Sequence, residues 1–379
     1  MSVREVPKGF HSCLLGDVIT LQRGFDLPSH ERRSGDVPVV SSSGVTGWHN
    51  VAKVKAPGVV TGRYGTLGEV FYIEQDFWAL NTTLFVSDFK GNQPKFVSYL
   101  LRTLSLKTQN AAGAVPGINR NVLHKIPIVV PEFKIRERIT EILSNYDLLI
   151  DNNTSRIALL EESIHRLYKE WFVYLRFPGC DRVKVIDGVP EGWRRVTLND
   201  ISLEVRQGIH PSQTEPNTPY VGLEHIPRQS IALTNWGLSR DVDSNKFKFA
   251  YRDILFGKIR PYFHKVVTAP MTGICSSDTI VMRPKTEEFF GMLLALASSV
   301  HFVDFASKTS KEGSKMPRAD WKVMKQYPIL VPSQPILNDF NSFVINSVSQ
   351  IENLIFTNQK LREARDLLLP RLMSGSIPV

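Results

Sequence analysis

Three cysteines in 379 residues, Cys13, Cys180 and Cys275, are odd in number and far apart, and none stands in C-x-x-C spacing. That excludes a disulfide framework and a cysteine zinc site, and leaves buried thiols as the expectation. Long apolar runs are also missing. The longest mild one, "GMLLALASSV" (291–300), is too short to span a bilayer, and the opening "MSVREVPKGF" has no apolar core of signal-peptide length. A cytoplasmic protein with no membrane association is expected. No His/Cys/carboxylate group has metal-ligand spacing, and the nine histidines make no Ser/His/Asp arrangement. The glycines of "GRYGTLG" (62–68) are followed by no P-loop Lys-Ser/Thr and lead into a strand-like run, so a tight turn is expected there rather than a phosphate cradle.

What is present is positive charge, unevenly placed. The chain carries a formal net charge of +9. Residues 1–131 hold 14 basic and 9 acidic side chains, 179–332 hold 21 and 16, and the segments 132–178 and 333–379 are close to neutral. Two basic segments joined by neutral ones suggest a polyanion gripped at two places. The length suits two domains, each able to bury its own core.

The chain also repeats itself. "IPIVVPEF" (126–133), an apolar strand fenced by prolines, returns as "YPILVPSQ" (327–334), an offset of 201 that already holds from "LKTQNAAGAVP" (106–116) to "SKTSKEGSKMP" (307–317). Further back, "LLGDVITLQRGFD" answers "TLNDISLEVRQGIH", "VPVV" answers "TPYV", and "VVTGRYG" answers "ILFGKIR". Each basic segment mixes short apolar alternations, such as "VFYIEQDFWALNTTLFV", with glycine turns and one late helix, "PKFVSYLLRTLS" or "EFFGMLLALASSVHFVDFA". This is the pattern of an α+β domain with a small twisted sheet.

Behind each fenced strand lies a long helix. After Pro131 apolar residues fall three or four apart at Ile135, Ile139, Ile142, Tyr146, Ile150, Ile157, Leu160, Ile164, Leu167 and Trp171, with Asn153 the polar intruder. The second stripe runs Ile336, Phe340, Phe343, Ser347, Ile351, Leu354, Asn358, Leu361, Arg365, Leu368 and Leu372. Both show the same stutter in a heptad seam. The first helix is predicted from about Phe133 to Trp171, roughly 60 Å at 1.5 Å per residue. The second is predicted to stop near Leu369, because Pro370 disfavours continuation. Two matched seams most simply pack on each other, and an antiparallel coiled coil under a pseudo-twofold axis avoids running the second domain back along the rod. Asn153 and Asn358 are expected to meet and fix the register. The expected layout is a first domain over 1–131, a first helix over 132–178, a second domain over 179–332 and a second helix over 333–379.

Candidate contact residues gather in the turns. They are His30, Arg32 and Arg33 in "PSHERRSGD", Ser42 in "SSSG", Arg63 and Tyr64 in "GRYG", and Lys107 and Arg120 around "AGAVPGINR". In the second copy the matching places hold His210 and Gln213, Lys258 and Arg260, then Lys308, Lys311, Lys315 and Arg318. Arg reads guanine and Gln reads adenine in a major groove, while Lys mostly holds phosphate. One decoy is "NTPY" (217–220), which approaches the Asn/Asp-Pro-Pro-Tyr/Phe loop of adenine methyltransferases. No glycine-rich donor turn in a βαβ context precedes it, and the repeat sets it opposite "VPVV", so a structural role is expected.

The order and duplication of "IPIVVPEFKIRERITEIL", "LYKEWF", "LGDVITLQRG", "GRYGTLG" and "NQKLREARDLLLPRLMSG" resemble the DNA-specificity subunits of type I restriction-modification enzymes over essentially the whole chain. Ser347 and Arg365 depart from an apolar second seam. The resemblance implies two target-recognition domains that each read half of a bipartite site on double-stranded DNA. It implies spacer helices that set the distance between half-sites and dock two methyltransferase subunits, with a motor-nuclease restriction subunit completing the enzyme. The chain itself would carry no cofactor and no catalysis; S-adenosylmethionine, ATP and Mg would belong to the partners. Two other readings are a coiled-coil protein adaptor and a self-contained adenine DNA methyltransferase.

Overall fold

The computed structural model describes residues 6–104, 106, 117–308 and 316–379. They form two compact units, residues 1–150 with 360–379, and residues 151–359.

The first unit begins with a strand, Phe10–Leu14, that pairs antiparallel with the proline-fenced strand Pro127–Pro131, so that Phe10 lies opposite Pro131. A two-stranded edge needs few ladder N–H groups, which is why prolines are tolerated at both ends. A four-stranded antiparallel sheet follows in the order Thr20–Arg23, Thr83–Asp88, Gly58–Gly62, Val70–Ile73. A smaller sheet sets Val37–Ser41 between Gly44–His49 and Trp78–Ala79, the last pair parallel. The β-branched run Val59, Val60, Thr61 is fully buried, as the central strand of a sheet covered on both faces requires. The helix Pro94–Thr103 closes one face with Phe96, Val97, Tyr99 and Leu100.

The second unit repeats this plan. Arg194–Thr197 pairs with Pro328–Val331. The four-stranded sheet runs Ser202–Val205, Thr279–Pro284, Ile254–Gly257, Val266–Thr268. "TPYV" supplies Pro219–Val221, parallel to Gly273–Ser276, in the slot that "VPVV" fills in the first unit. Even a short early helix recurs with its cap. Leu14 N–H donates to Asp17 Oδ2 at 2.9 Å before Leu15–Val18, and Thr197 N–H donates to Asp200 Oδ2 at 2.7 Å before Leu198–Ile201. The late helix differs from the sequence expectation. It is broken into Phe290–Ala297 and Val300–Lys308, bent by 72°. Ser298 Oγ donates back to Leu294 O at 2.7 Å while Ser299 Oγ accepts from Phe302 N–H at 3.2 Å, so one serine ends a helix and the next caps another. Among the described residues no single helix is long and apolar enough to cross a membrane.

The long helices are Phe133–Tyr168, which continues as a π-helical turn over Lys169–Val173, and Gln334–Met373. Each gives residues to both units, and within each unit the two run antiparallel. In the first unit Ile139 and Leu143 pack with Leu369, Leu372 and Met373. In the second, Phe172 stands edge-on to Phe340 at 4.8 Å, and Asn153 Nδ2 donates to Asn358 Oδ1 at 2.9 Å.

Three details of the helices correct the sequence reading. The second helix passes Pro370 and ends in a Schellman turn, with Ser376 N–H to Arg371 O at 2.9 Å, Gly375 N–H to Leu372 O at 3.1 Å and Gly375 at φ +71°. Proline removes one hydrogen bond, and the burial of Leu369, Leu372 and Met373 outweighs that loss. Phe343, placed in the seam, is exposed, and Val344 and Val348 are fully buried instead. In the first helix Leu143 and Asp147 are buried more deeply than Ile142 and Tyr146. The common cause is that each segment packs on its partner helix and on its own domain, so two faces are buried rather than one narrow stripe. Glu161, for instance, accepts hydrogen bonds from Ser230 Oγ, Ile231 N–H and Ala232 N–H. Of the cysteines, Cys275 is buried, while Cys13 and Cys180 are half-buried.

Candidate nucleic-acid interface

In the first unit the central strand Gly58–Gly62 runs out into Arg63 and Tyr64. Arg63 N–H donates to Thr82 O at 2.8 Å, and its carbonyl accepts from Ile118 N–H at 3.0 Å, so the backbone is clamped from both sides. The guanidinium lies 4.5 Å from the centre of the Tyr64 ring and also donates to Tyr64 Oη at 3.2 Å. Tyr64 in turn forms a bridge with Gly117. A Cβ on Gly117 would come within 2.3 Å of Tyr64 Cε1, so only glycine lets the ring lie there. Ser42, at the tip of the hairpin between Val37–Ser41 and Gly44–His49, abuts the same turn, since a Cβ on Gly65 would meet Ser42 Oγ at 3.2 Å. Arg120 begins the short helix Arg120–His124 behind the Asn119 cap and is exposed. Ser42, Arg63 and Tyr64 are thus brought together. Arg32 and Arg33 lie further along the hairpin, where Arg33 N–H donates to His49 Nδ1 at 3.0 Å and Arg32 Nη1 reaches Thr46 O at 3.5 Å. His30 is exposed in the preceding turn, 3.7 Å from Glu31.

The second unit builds the same place with other side chains. Lys258 N–H donates to Asp278 O at 2.8 Å, and its carbonyl accepts from Ala319 N–H at 2.9 Å, the counterparts of the two clamps on Arg63. Ile259 bridges to Arg318 as Tyr64 does to Gly117, and Arg260 N–H donates to Pro317 O at 2.8 Å. Lys258, Arg260 and Arg318 therefore converge, with Arg318 held 3.3 Å from Asp278. His210 and Gln213 stabilise their own turn. The His210 ring contacts Ser212 Oγ at 2.8 Å, and Gln213 Oε1 accepts from His210 N–H at 3.4 Å. Lys308 ends its helix exposed. Lys107, Lys311 and Lys315 lie outside the described residues.

The sequence reading missed an aromatic–cationic cluster beside this turn. Arg228 stacks 4.0 Å from the Phe263 ring centre, Arg260 lies 6.0 Å from it, and Tyr262, packed edge-on to Phe263 at 4.9 Å, is exposed. The alternation of basic and aromatic residues in "KIRPYFHK" (258–265) was the available signal. In the first unit Trp48 is exposed on the outer hairpin strand. "NTPY" belongs to the framework: Asn217 Oδ1 accepts from Arg240 Nη1 at 3.0 Å, and Tyr220 is buried in its strand. Among the described residues no group of three His, Cys, Asp or Glu side chains is placed to hold a metal ion.

In both units the clamped strand end presents cations beside aromatic rings, a surface whose chemistry suits a polyanion. Residues 7–162 match the family described as the type I restriction modification DNA specificity domain. Along more of the chain, the type I restriction enzyme MjaIX specificity subunit of Methanocaldococcus jannaschii is 24% identical over 76% of this chain and 70% of its own length. The EcoDI specificity subunit of Escherichia coli is 22% identical over 64% and 60% respectively. The HindI specificity subunit of Haemophilus influenzae is 20% identical over 82% and 84%. The fold is similar to the crystal structure of a type I restriction-modification S subunit from M. genitalium, with a TM-score of 0.60, 14% identity and 98% of each chain covered. The chain is thus similar to the specificity subunits of type I restriction enzymes along most of its length, and its residues 7–162 match their DNA specificity domain.

Proposed function

We propose that each unit reads one half of a bipartite site on double-stranded DNA and that the paired long helices set the distance between the halves. The observation that carries this is the duplicated strand end, where Arg63 and Tyr64 in one unit and Lys258, Arg260 and Arg318 in the other occupy the same clamped position. Lysines there hold phosphate, and the arginines and Gln213 are the groups suited to base edges. On this reading Asn153 and Asn358 lock the register of the ruler, and the chain docks two methyltransferase subunits and the restriction subunits in the cytoplasm. The partners carry S-adenosylmethionine, ATP and Mg, so the chain contributes recognition and geometry while a partner flips and methylates the base.

Helix geometry supplies the test. Four residues inserted into a long helix add about 6 Å, close to two base-pair steps of about 3.4 Å. Methylome sequencing of a host carrying the partner methyltransferase should then show a longer spacer between unchanged half-sites; an unchanged spacer defeats the ruler. A protein adaptor, by contrast, would bind its target with little salt dependence, whereas phosphate neutralisation makes affinity fall steeply with salt.

A further inference from the structure

Where the first long helix ends, the second unit contains a cavity of about 400 Å³, within the range of small-molecule sites, which run from about 300 to 1,000 Å³. Its polar lining includes groups able to donate, His165, Lys169, Gln229, Ser299 and His301, beside His264 and Ser298, which are bonded to each other. Among the described residues that line it there is no carboxylate. Tyr168, Val173 and Val300 supply the apolar wall.

Five observations separate this cavity from a packing gap. Gln229 and His264 both stand in the left-handed region, at φ +57° and +53°, and are tied together by Gln229 N–H to His264 O at 2.9 Å. Strained backbone of this kind collects at ligand sites. His264 Nε2 donates to Ser298 O at 2.8 Å, which fixes the ring on the wall. Lys169 and Val173 reach the lining from the two ends of a π-helical turn, closed by Tyr174 N–H to Lys169 O at 2.9 Å, and such turns are frequent at functional positions. Burial, and then His264 beside it, hold the His165 imidazole below its ordinary range, so the free site disfavours positive charge that an entering anion would stabilise. The donors also do not belong to the duplicated frame. An offset of 201 from His165, Tyr168 and Lys169 reaches Asp366, Leu369 and Pro370, which could not form the same lining.

We infer that this cavity binds a small organic anion, an oxyanion head group among His165, Lys169 and His264 with an apolar body against Tyr168, Val173 and Val300. Carboxylate and phosphate share the required chemistry. Isothermal titration of the full chain, without DNA, with benzoate and with phenyl phosphate distinguishes them. One saturable site per chain is expected for at least one probe, and the preferred probe identifies the head group. Lys169→Met, on the exposed rim, and His264→Asn, which tolerates the left-handed backbone, should each weaken binding about tenfold with an unchanged circular dichroism spectrum. Absence of saturable binding of both probes at millimolar concentration overturns the inference, as does undiminished affinity in a folded Lys169→Met protein. Because the readout needs no DNA, it stands or falls separately from the reading of DNA recognition.

Discussion

Asp147 is the residue whose chemistry departs most from its surroundings. It sits on the buried side of the first long helix, accepts from Tyr99 Oη at 2.6 Å and from Arg365 Nη1 at 2.8 Å, and lies 3.5 Å from Lys95. Burial alone would raise its pKa, but the hydrogen bonds from Tyr99 and Arg365 and the nearby cations outweigh that and hold the carboxyl below its ordinary value. The Tyr99 phenol is pushed the other way, by burial and then by Asp147. Asp147→Ala would take the carboxylate away from Lys95 and the Tyr99 hydroxyl and leave Arg365 with Asp366 alone, and a urea titration should show a loss of about 3 kcal/mol. The sign with pH follows. A carboxyl that titrates lower in the folded chain than its unfolded value of about 3.9 stabilises fully above that pH, and the contribution is lost as pH falls through the folded value. Asp147→Ala should therefore narrow its gap from the parent in acid, as followed by thermal unfolding between neutral pH and about pH 3. Gly117 makes a second prediction at this scale. Gly117→Ala forces the Tyr64 ring away, because its Cβ would stand 2.3 Å from Cε1. DNA affinity should drop by about tenfold or more while the melting temperature stays near that of the parent; a large fall in melting temperature with unchanged affinity would reverse that assignment. Asp147 was not legible in the sequence, since it lies off the apolar stripe, and its burial depends on a helix distant along the chain.

At the scale of elements, the Asn153–Asn358 hydrogen bond was legible because two polar residues interrupt otherwise apolar seams, and a buried amide needs a partner. Asn153→Leu alone removes that hydrogen bond from Asn358, which keeps its contact to Thr154 Oγ1 at 3.4 Å, and should cost about 1 kcal/mol. The Asn153→Leu, Asn358→Leu chain should recover much of that stability yet lose a unique pairing, seen as mixed species in analytical ultracentrifugation. A double-mutant cycle with no coupling energy would remove the register role. The end of the second helix was misread because a local rule, the proline, was weighed without the burial of Leu369, Leu372 and Met373 beyond it. Its real stop is Gly375. A Cβ there would meet Phe10 Cε2 and Pro7 Cβ at 2.9 Å in a backbone at φ +71°. Gly375→Ala should accordingly destabilise the chain by about 1–2 kcal/mol, for the left-handed backbone alone. The placing of Phe343 in the seam failed for a related reason: period counting assumes one buried face, and this helix buries two.

At the scale of the molecule, the repeat was the most legible feature, because a constant offset needs no knowledge of contacts. The topologies of the two four-stranded sheets follow it strand for strand. The matching turns with Arg63 and Tyr64 in one unit and Lys258 and Arg260 in the other followed from it too, whereas the stacking of Arg228 on Phe263 beside them was hidden, because spacing does not say which side chains meet. A chain carrying residues 199–326 of a relative should keep the half-site assigned to the first unit and change the other, as methylome sequencing would report. Such an exchange is mechanically undemanding for a reason already present in the strand pairing. Phe10–Leu14 lies against Pro127–Pro131, and Arg194–Thr197 against Pro328–Val331, so each domain enters and leaves its frame at adjacent points. The frame sees only a short fixed mouth, and whatever is threaded between its lips can vary in length and sequence. Under the proposed division of labour each domain is a cartridge, and swapping it would give a new DNA address while the holder stays as it is.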